Sequence, residues 1–230
     1  KAASQGFDKA QFSLGLMYEN GEGVEKDSKK AFEWYEKAAS QGFADAQYKL
    51  GFMYYDGEGV EKNSKKAFEW YEKAASQGFA KAQYNLGVMY DKGEGVEKDS
   101  KKAIEWYEKA ASQGLAIAQF SLGLMYDKGE GVKKDIKKAF EWYEKAASQG
   151  LAEAQFSLGF MYYDRIGVKK DIKKAIECFE KAASQGFADA QYILGIMYDV
   201  GEGVKKDIKK AKKLFKEACN GGHQDSCKLI

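Results

Sequence analysis

Shifted by 36 residues, this chain lies on itself. Lys37–Glu72 against Lys73–Glu108 gives 29 identities in 36 positions. Gly6, Gly42, Gly78, Gly114, Gly150, Gly186 and Gly222 hold that phase from one end to the other. A fixed period of this length marks a stacked repeat array. One unit is too small to bury its own apolar face and must cover it with a neighbour. The chain is therefore expected to form a single repeat array over residues 1–230. It has a partial first repeat, about six helix pairs and a cysteine-containing C-terminal cap. The repeat also sorts the residues. Those that recur build the scaffold, and those that vary carry any specificity.

Within one unit, Ala44–Tyr54 reads ADAQYKLGFMY and places Ala46, Leu50, Met53 and Tyr54 at i, i+4, i+7 and i+8. That is one apolar stripe, so an amphipathic helix A is expected here. Gly51 sits inside the stripe, and Gly15, Gly87, Gly123, Gly159 and Gly195 repeat it. A glycine costs a helix about 1 kcal/mol relative to alanine, so its recurrence predicts a second backbone approaching too closely for a Cβ. The loop from Asp56 to Lys62 has paired glycines for positive-φ positions, with Val60 as a plug into the core. Asn63 is the expected N-cap of helix B, and Asp27, Asp99, Asp135, Asp171 and Asp207 take its place in the other copies. Helix B, residues 64–76, turns Ala67, Trp70, Tyr71, Ala74 and Ala75 inward. Gly78 then closes it as a left-handed residue, with Phe79 as its hydrophobic partner. The unit is helix–loop–helix–turn, and the fold is all-α.

Composition narrows the function classes. The 37 basic and 35 acidic side chains nearly cancel, and Arg165 is the one arginine. Phosphate and base recognition favours the bidentate arginine fork, so no nucleic-acid partner is expected. No run of 18 apolar residues occurs, so no membrane span is expected. The chain opens within the repeat motif. Lys1–Gly6, KAASQG, reads as the end of a helix whose beginning is missing, as in a piece of a longer protein. No catalytic constellation stands out. His223 is the only histidine and is expected as a turn residue of the terminal cap. Neither a nucleophile elbow nor a phosphate loop is present, and no cofactor or metal site is expected.

The motif residues are Ala-x-Ala-Gln-Tyr-x-Leu-Gly-x-Met-Tyr, then Gly-x-Gly-Val-x-x-Asp-x-x-Lys-Ala, then Trp-Tyr-x-Lys-Ala-Ala-x-Gln-Gly. Together they resemble the Sel1-like repeat, a relative of the tetratricopeptide repeat with a longer inter-helix loop. The resemblance covers essentially the whole chain. It implies a right-handed α/α superhelical solenoid of 36-residue helix–loop–helix repeats, with helix A on the concave side. It also implies an adaptor role: a monomer that binds a protein or peptide partner in that groove. Lys-x-Ala-Cys…Ser-Cys-Lys-Leu at the end is similar to the final repeat of bacterial cysteine-rich members, which bridge cysteines at this spacing. The resemblance therefore implies a Cys219–Cys227 disulfide, with a metal site as the rival reading. A disulfide favours a secreted or periplasmic location, a cytoplasmic one staying open. The cysteine-rich relatives also suggest β-lactam binding or hydrolysis as an alternative. However, the serine candidates Ser28, Ser64 and Ser100 are each followed by Lys-Lys-Ala, not by the x-x-Lys such chemistry uses. A third alternative is an inert structural or designed consensus scaffold. Arg165, Cys178 and the irregular cap argue against design.

Departures from the repeat mark where to look. Glu25, Glu61 and Glu97 become Lys133, Lys169 and Lys205. Ser28, Ser64 and Ser100 become Ile136, Ile172 and Ile208. The later loops thus have a lysine-rich edge, read either as a surface for an acidic partner or as a solvated helix start. Arg165-Ile166 stands where other copies have Gly-Glu, which should alter the turn. Cys178 replaces the tryptophan of Trp34, Trp70, Trp106 and Trp142, and is expected as a buried structural thiol. The columns of helix A that vary define the candidate partner groove. One is Asp45, Lys81, Ile117 and Glu153. A second is Lys49, Asn85, Ser121 and Ser157. A third, apolar throughout, is Phe52, Val88, Leu124 and Phe160, either a floor for a peptide or deeper packing. The fourth is Tyr55, Asp91, Asp127 and Tyr163. Replacing Tyr55, Tyr163 and Asp127 with alanine is expected to weaken a partner without loss of thermal stability.

Overall fold

The structure is a computed structural model and describes residues 7–230. The helix end expected at Lys1–Gly6 lies outside them. Thirteen α-helices and no strand occur among the described residues. Two compact units, Lys1–Leu115 and Ala116–Ile230, divide the chain. The first holds α1 (Asp8–Asn20), α2 (Ser28–Ser40), α3 (Ala44–Asp56), α4 (Ser64–Ser76), α5 (Ala80–Lys92) and α6 (Ser100–Ser112). The second holds α7 (Ala116–Lys128), α8 (Ile136–Ser148), α9 (Ala152–Asp164), α10 (Ile172–Ser184), α11 (Ala188–Val200), α12 (Ile208–Asn220) and the short α13 (Gln224–Cys227). Odd-numbered helices up to α11 are the A helices and even-numbered ones the B helices. Within each unit an A helix packs along its own B helix, and that B helix along the next A helix.

Local chemistry sets these boundaries. The Asn63 side chain accepts from the Lys66 amide at 3.0 Å, and Asp27, Asp135, Asp171 and Asp207 cap their helices in the same way. Removing such a cap costs about 1 kcal/mol. At the other end of α4, the Gly78 N–H donates to Ala75 O at 2.9 Å and the Phe79 N–H to Ala74 O at 3.2 Å. With φ of +87° at Gly78 this is the two-bond closure expected of a left-handed glycine. Helix α3 ends on Gly57, whose N–H donates to Met53 O at 2.8 Å.

The core follows the expected stripe. Ala46, Leu50, Met53 and Tyr54 of α3 are buried, as are Ala67, Tyr71, Ala74 and Ala75 of α4. Gly51 departs from expectation in what it meets. A Cβ there would lie 2.5 Å from the Tyr71 ring, and the same aromatic fills the space at Gly123 (Tyr143), Gly159 (Phe179) and Gly195 (Phe215). The helical glycine makes room for a side chain, not for a backbone. Backbone contact falls instead on the loop glycine Gly59, where a Cβ would sit 2.3 Å from the Ser28 carbonyl oxygen of the preceding repeat. In the second unit the loop glycines Gly167 and Gly203 face the Ile136 and Ile172 side chains. The serine-to-isoleucine change therefore turns a polar seam between repeats into an apolar one.

Two further expectations are corrected. The tryptophans are half-buried, each roofed by the lysine three residues on: Lys37 over Trp34 at 4.0 Å, Lys73 over Trp70 at 3.9 Å, Lys109 over Trp106 at 3.8 Å and Lys145 over Trp142 at 4.0 Å. Cys178 in that column is likewise half-buried, and burial pushes its thiol pKa up. The turn at Arg165 is not altered. Arg165 takes φ +63° and ψ +29°, and its N–H donates to Met161 O as the glycines do.

Glutamines also link the repeats. Gln47 is buried and its Nε2 donates to Ala39 O at 3.2 Å, while Gln77 Nε2 donates to Gln47 Oε1 at 2.8 Å. The pairs Gln113–Gln83, Gln149–Gln119 and Gln185–Gln155 repeat the second bond. At the C-terminus Cys219 and Cys227 occupy the alanine and glutamine columns of this ladder. They form a disulfide with Cα atoms 4.9 Å apart. His223 stacks on Tyr192 at 4.1 Å, and its Nδ1 accepts from the Ser226 amide at 3.3 Å, as befits a cap residue.

Candidate partner-binding site

Phe52 of α3 and Val88 of α5 are one repeat apart in the same column, so stacking sets them side by side. With Tyr55 and Asn85 they line a cavity of about 190 Å³, backed by Tyr71, Tyr84 and Met89 and edged by Asp56. Tyr71 and Met89 are buried, and Phe52 is 37% exposed. The floor is thus aromatic and thioether surface, open on one side. Its polar groups are few and placed. The Asn85 amide lies beside the Tyr48 and Tyr71 hydroxyls. Burial raises the pKa of both tyrosines, and Asn85 opposes it. The Tyr55 hydroxyl donates to the Glu94 carboxylate of the next loop. That bond first, and burial second, push the Tyr55 pKa up to about 12. Lys62 stands 5.4 Å from the Tyr55 ring centroid.

The structure brings Phe52, Tyr55, Asn85 and Val88 together and gives several other candidate residues different work. Lys49 is paired with Glu19 at 2.8 Å, and Glu19 also accepts from the Tyr35 hydroxyl. In the second unit the half-buried Phe160 packs edge-on against Phe156 and Phe179 with centroids 4.8 and 5.3 Å away. Leu124 packs on the cluster of Tyr126, Tyr143 and Met161. Tyr163 donates to Glu202 at 2.8 Å. Each of these bonds ties its helix to the loop of the following repeat, so alanine at Tyr55 or Tyr163 is expected to remove a structural contact as well as a groove side chain. Burial first, and the half-buried Asp91 and Asp127 second, raise the pKa of the Tyr107 and Tyr143 hydroxyls. Asp45, Ile117, Ser121, Glu153 and Ser157 are half-buried and Lys81 is exposed. Of the lining residues, Asp56, Tyr71, Tyr84 and Met89 are absent from the variable columns. Two of them are repeated core residues, and repetition hides them from a search for variation.

Tyr48 packs against neighbouring rings, 5.8 Å from Tyr71 and 5.0 Å from Phe79. Ser28 donates to Glu58 at 3.0 Å, a structural bond between repeats. Among the described residues no group of three or more His, Cys, Asp or Glu is placed to hold a metal ion, and no helix is long and apolar enough to cross a membrane.

The repeat seen here matches the Sel1 repeat profile six times, at residues 8–43, 44–79, 80–115, 116–151, 152–187 and 188–223. The chain belongs to the Sel1 repeat family. Among solved structures it is similar to a protective antigen of uropathogenic Escherichia coli strains displaying an SLR fold. The two are 39% identical with a TM-score of 0.90 over 98% of this chain and 48% of that one. It is also similar to a Sel1 repeat protein from Oxalobacter formigenes, at 39% identity and TM-score 0.86 over 93% and 86% of the two chains. A Saccharomyces cerevisiae chitin synthase regulator, SKT5, is 49% identical over 37 residues, 5% of its length. This chain thus spans about half of the E. coli Sel1 protein and a small part of the yeast one.

Proposed function

We propose that this Sel1 array is an adaptor that seats a peptide or protein segment on the A-helix face, with the Phe52–Val88 cavity as its anchor pocket. Sel1 repeat proteins are typically protein-interaction scaffolds. One observation carries the finer reading. Four residues that vary between otherwise near-identical repeats converge on one partly open apolar cavity. An apolar side chain entering it would meet Phe52, Val88 and Met89. Asn85 and Asp56 would fix the orientation of the polar backbone around it, the usual division between anchor and rim. The six repeats act as one array in this reading, and Lys81 extends the groove as a charged flank. The disulfide supports an oxidising compartment, secreted or periplasmic.

The test is affinity capture with the intact chain, followed by measurement of the captured partner's Kd against Phe52→Ala and Val88→Ala. Loss of one anchor contact is expected to weaken binding by about tenfold or more, with the thermal midpoint of the partly exposed Phe52→Ala variant near that of the parent. Binding unchanged in both variants would sink the anchor pocket.

A further inference from the structure

Helix α10 has a cysteine where four B helices have a tryptophan, and the loss leaves a notch in the second unit. Ala147, Gln155, Leu158, Cys178 and Lys181 line a cavity of about 190 Å³ there, with Glu144 and Ser148 also in its lining. The first unit shows what normally fills it. Trp106 of α6 packs on the cluster containing Ala75 and Leu86, the counterparts of Ala147 and Leu158 two repeats earlier. Where tryptophan is present, the floor is closed: Ala75 is 3% exposed and Leu86 0%. At the notch Leu158 opens to 6% and Ala147 is no longer buried. Lys181 lines the notch, and its counterpart Lys109 lies 3.8 Å above the Trp106 ring.

We infer that this notch docks an aromatic side chain of tryptophan size presented by a partner protein, so that the partner completes the repeat. Size and charge both argue for that occupant. The chain itself packs an indole on the cluster holding the counterpart alanine and leucine in the first unit. The Lys181 ammonium complements the negative face of an aromatic ring, as the equivalent lysine does in each tryptophan-bearing repeat. An aliphatic side chain would leave the ammonium without that complement. The notch lies in the second unit and shares no lining residue with the pocket proposed around Phe52 in the first.

The experiment is a titration of the intact, disulfide-bonded chain with N-acetyltryptophanamide, followed by methyl NMR, with N-acetylalaninamide and free indole as comparison probes. Saturable shifts are expected at Leu158 and Ala147 but not at Leu86 and Ala75. Cys178→Trp should fill the notch, abolish those shifts and raise the thermal midpoint, which also shows that the variant folds. Lys181→Ala should weaken binding by about two- to fivefold, the range for an exposed cation–π contact. Absence of a saturable response, or an equal response in Cys178→Trp, would overturn the site. A response to free indole with none to N-acetyltryptophanamide would overturn its assignment to a partner's side chain.

Discussion

Arg165 is the one non-glycine residue with positive φ among the described residues. The left-handed region costs an ordinary L-residue about 1–2 kcal/mol, and glycine gives part of that back through its freer unfolded chain. Arg165→Gly is therefore expected to stabilise the chain by about 1 kcal/mol, read from denaturant midpoints at unchanged slope. A loss instead would mean that the arginine side chain holds the loop. Tyr55 makes a prediction in pH. Its folded pKa is raised from 10.0 to about 12, so the folded state keeps the proton longer than the unfolded one. The stability this contributes is complete below pH 10 and is lost as pH rises towards about 12. Tyr55→Phe is expected to be less stable at neutral pH and to decline less steeply from pH 10 to 12. Parallel curves for the two proteins would show that the Glu94 bond does not set the shift.

At the scale of the element, the glutamine ladder has a broken last rung. Gln191 is 7% exposed, its Nε2 donates to Ala183 O, and its Oε1 is buried with no partner. In earlier repeats that oxygen accepts from a glutamine 30 residues on, but position 221 is glycine. An unmet buried acceptor costs about 1–3 kcal/mol. Gly221 has an ordinary negative φ of −79°, so its backbone accepts a side chain, and a Cβ there would lie 3.0 Å from the Ala188 Cβ, a close contact that a shift of a few tenths of an ångström relieves. Gly221→Gln should supply the missing donor and raise stability by about 1 kcal/mol, checked by chemical denaturation beside Gly221→Ala. Equal gains from both would assign the effect to helix propensity alone. The ladder also shows what could be read ahead of the structure. Caps, the closing Gly78, the stripe of α3 and the loop glycines are encoded within a few residues, and each was legible. The Tyr71 ring against Gly51, the Glu94 partner of Tyr55 and the lysine roof on each tryptophan depend on register or rotamer. Distances of 20 to 39 residues along the chain cannot be paired from periodicity alone. The Phe52–Val88 cavity was legible only by its variable half.

For the whole molecule, repeats that touch mainly their neighbours make stability a sum of local terms with short-range coupling. The Cys219–Cys227 bridge tests this because it acts at one end. It joins the last turn of α12 to α13 across a separation of 8 residues, and in the loop-entropy account contributes about 2–3 kcal/mol. Lys212 adds to the same end, since it is exposed in the column where Phe140 packs on Tyr162 and Phe68 on Tyr90. A charge there removes the aromatic contact that Phe68 and Phe140 make in their own repeats. Reduction should therefore lower amide exchange protection in α11, α12 and α13 while α1 to α4 keep theirs. Hydrogen exchange on the oxidised protein and on Cys219→Ser/Cys227→Ser would measure the decay of the effect from helix to helix. An equal fall in all the helices would make the chain one cooperative unit, and nearest-neighbour stacking would then fail as the account of its stability.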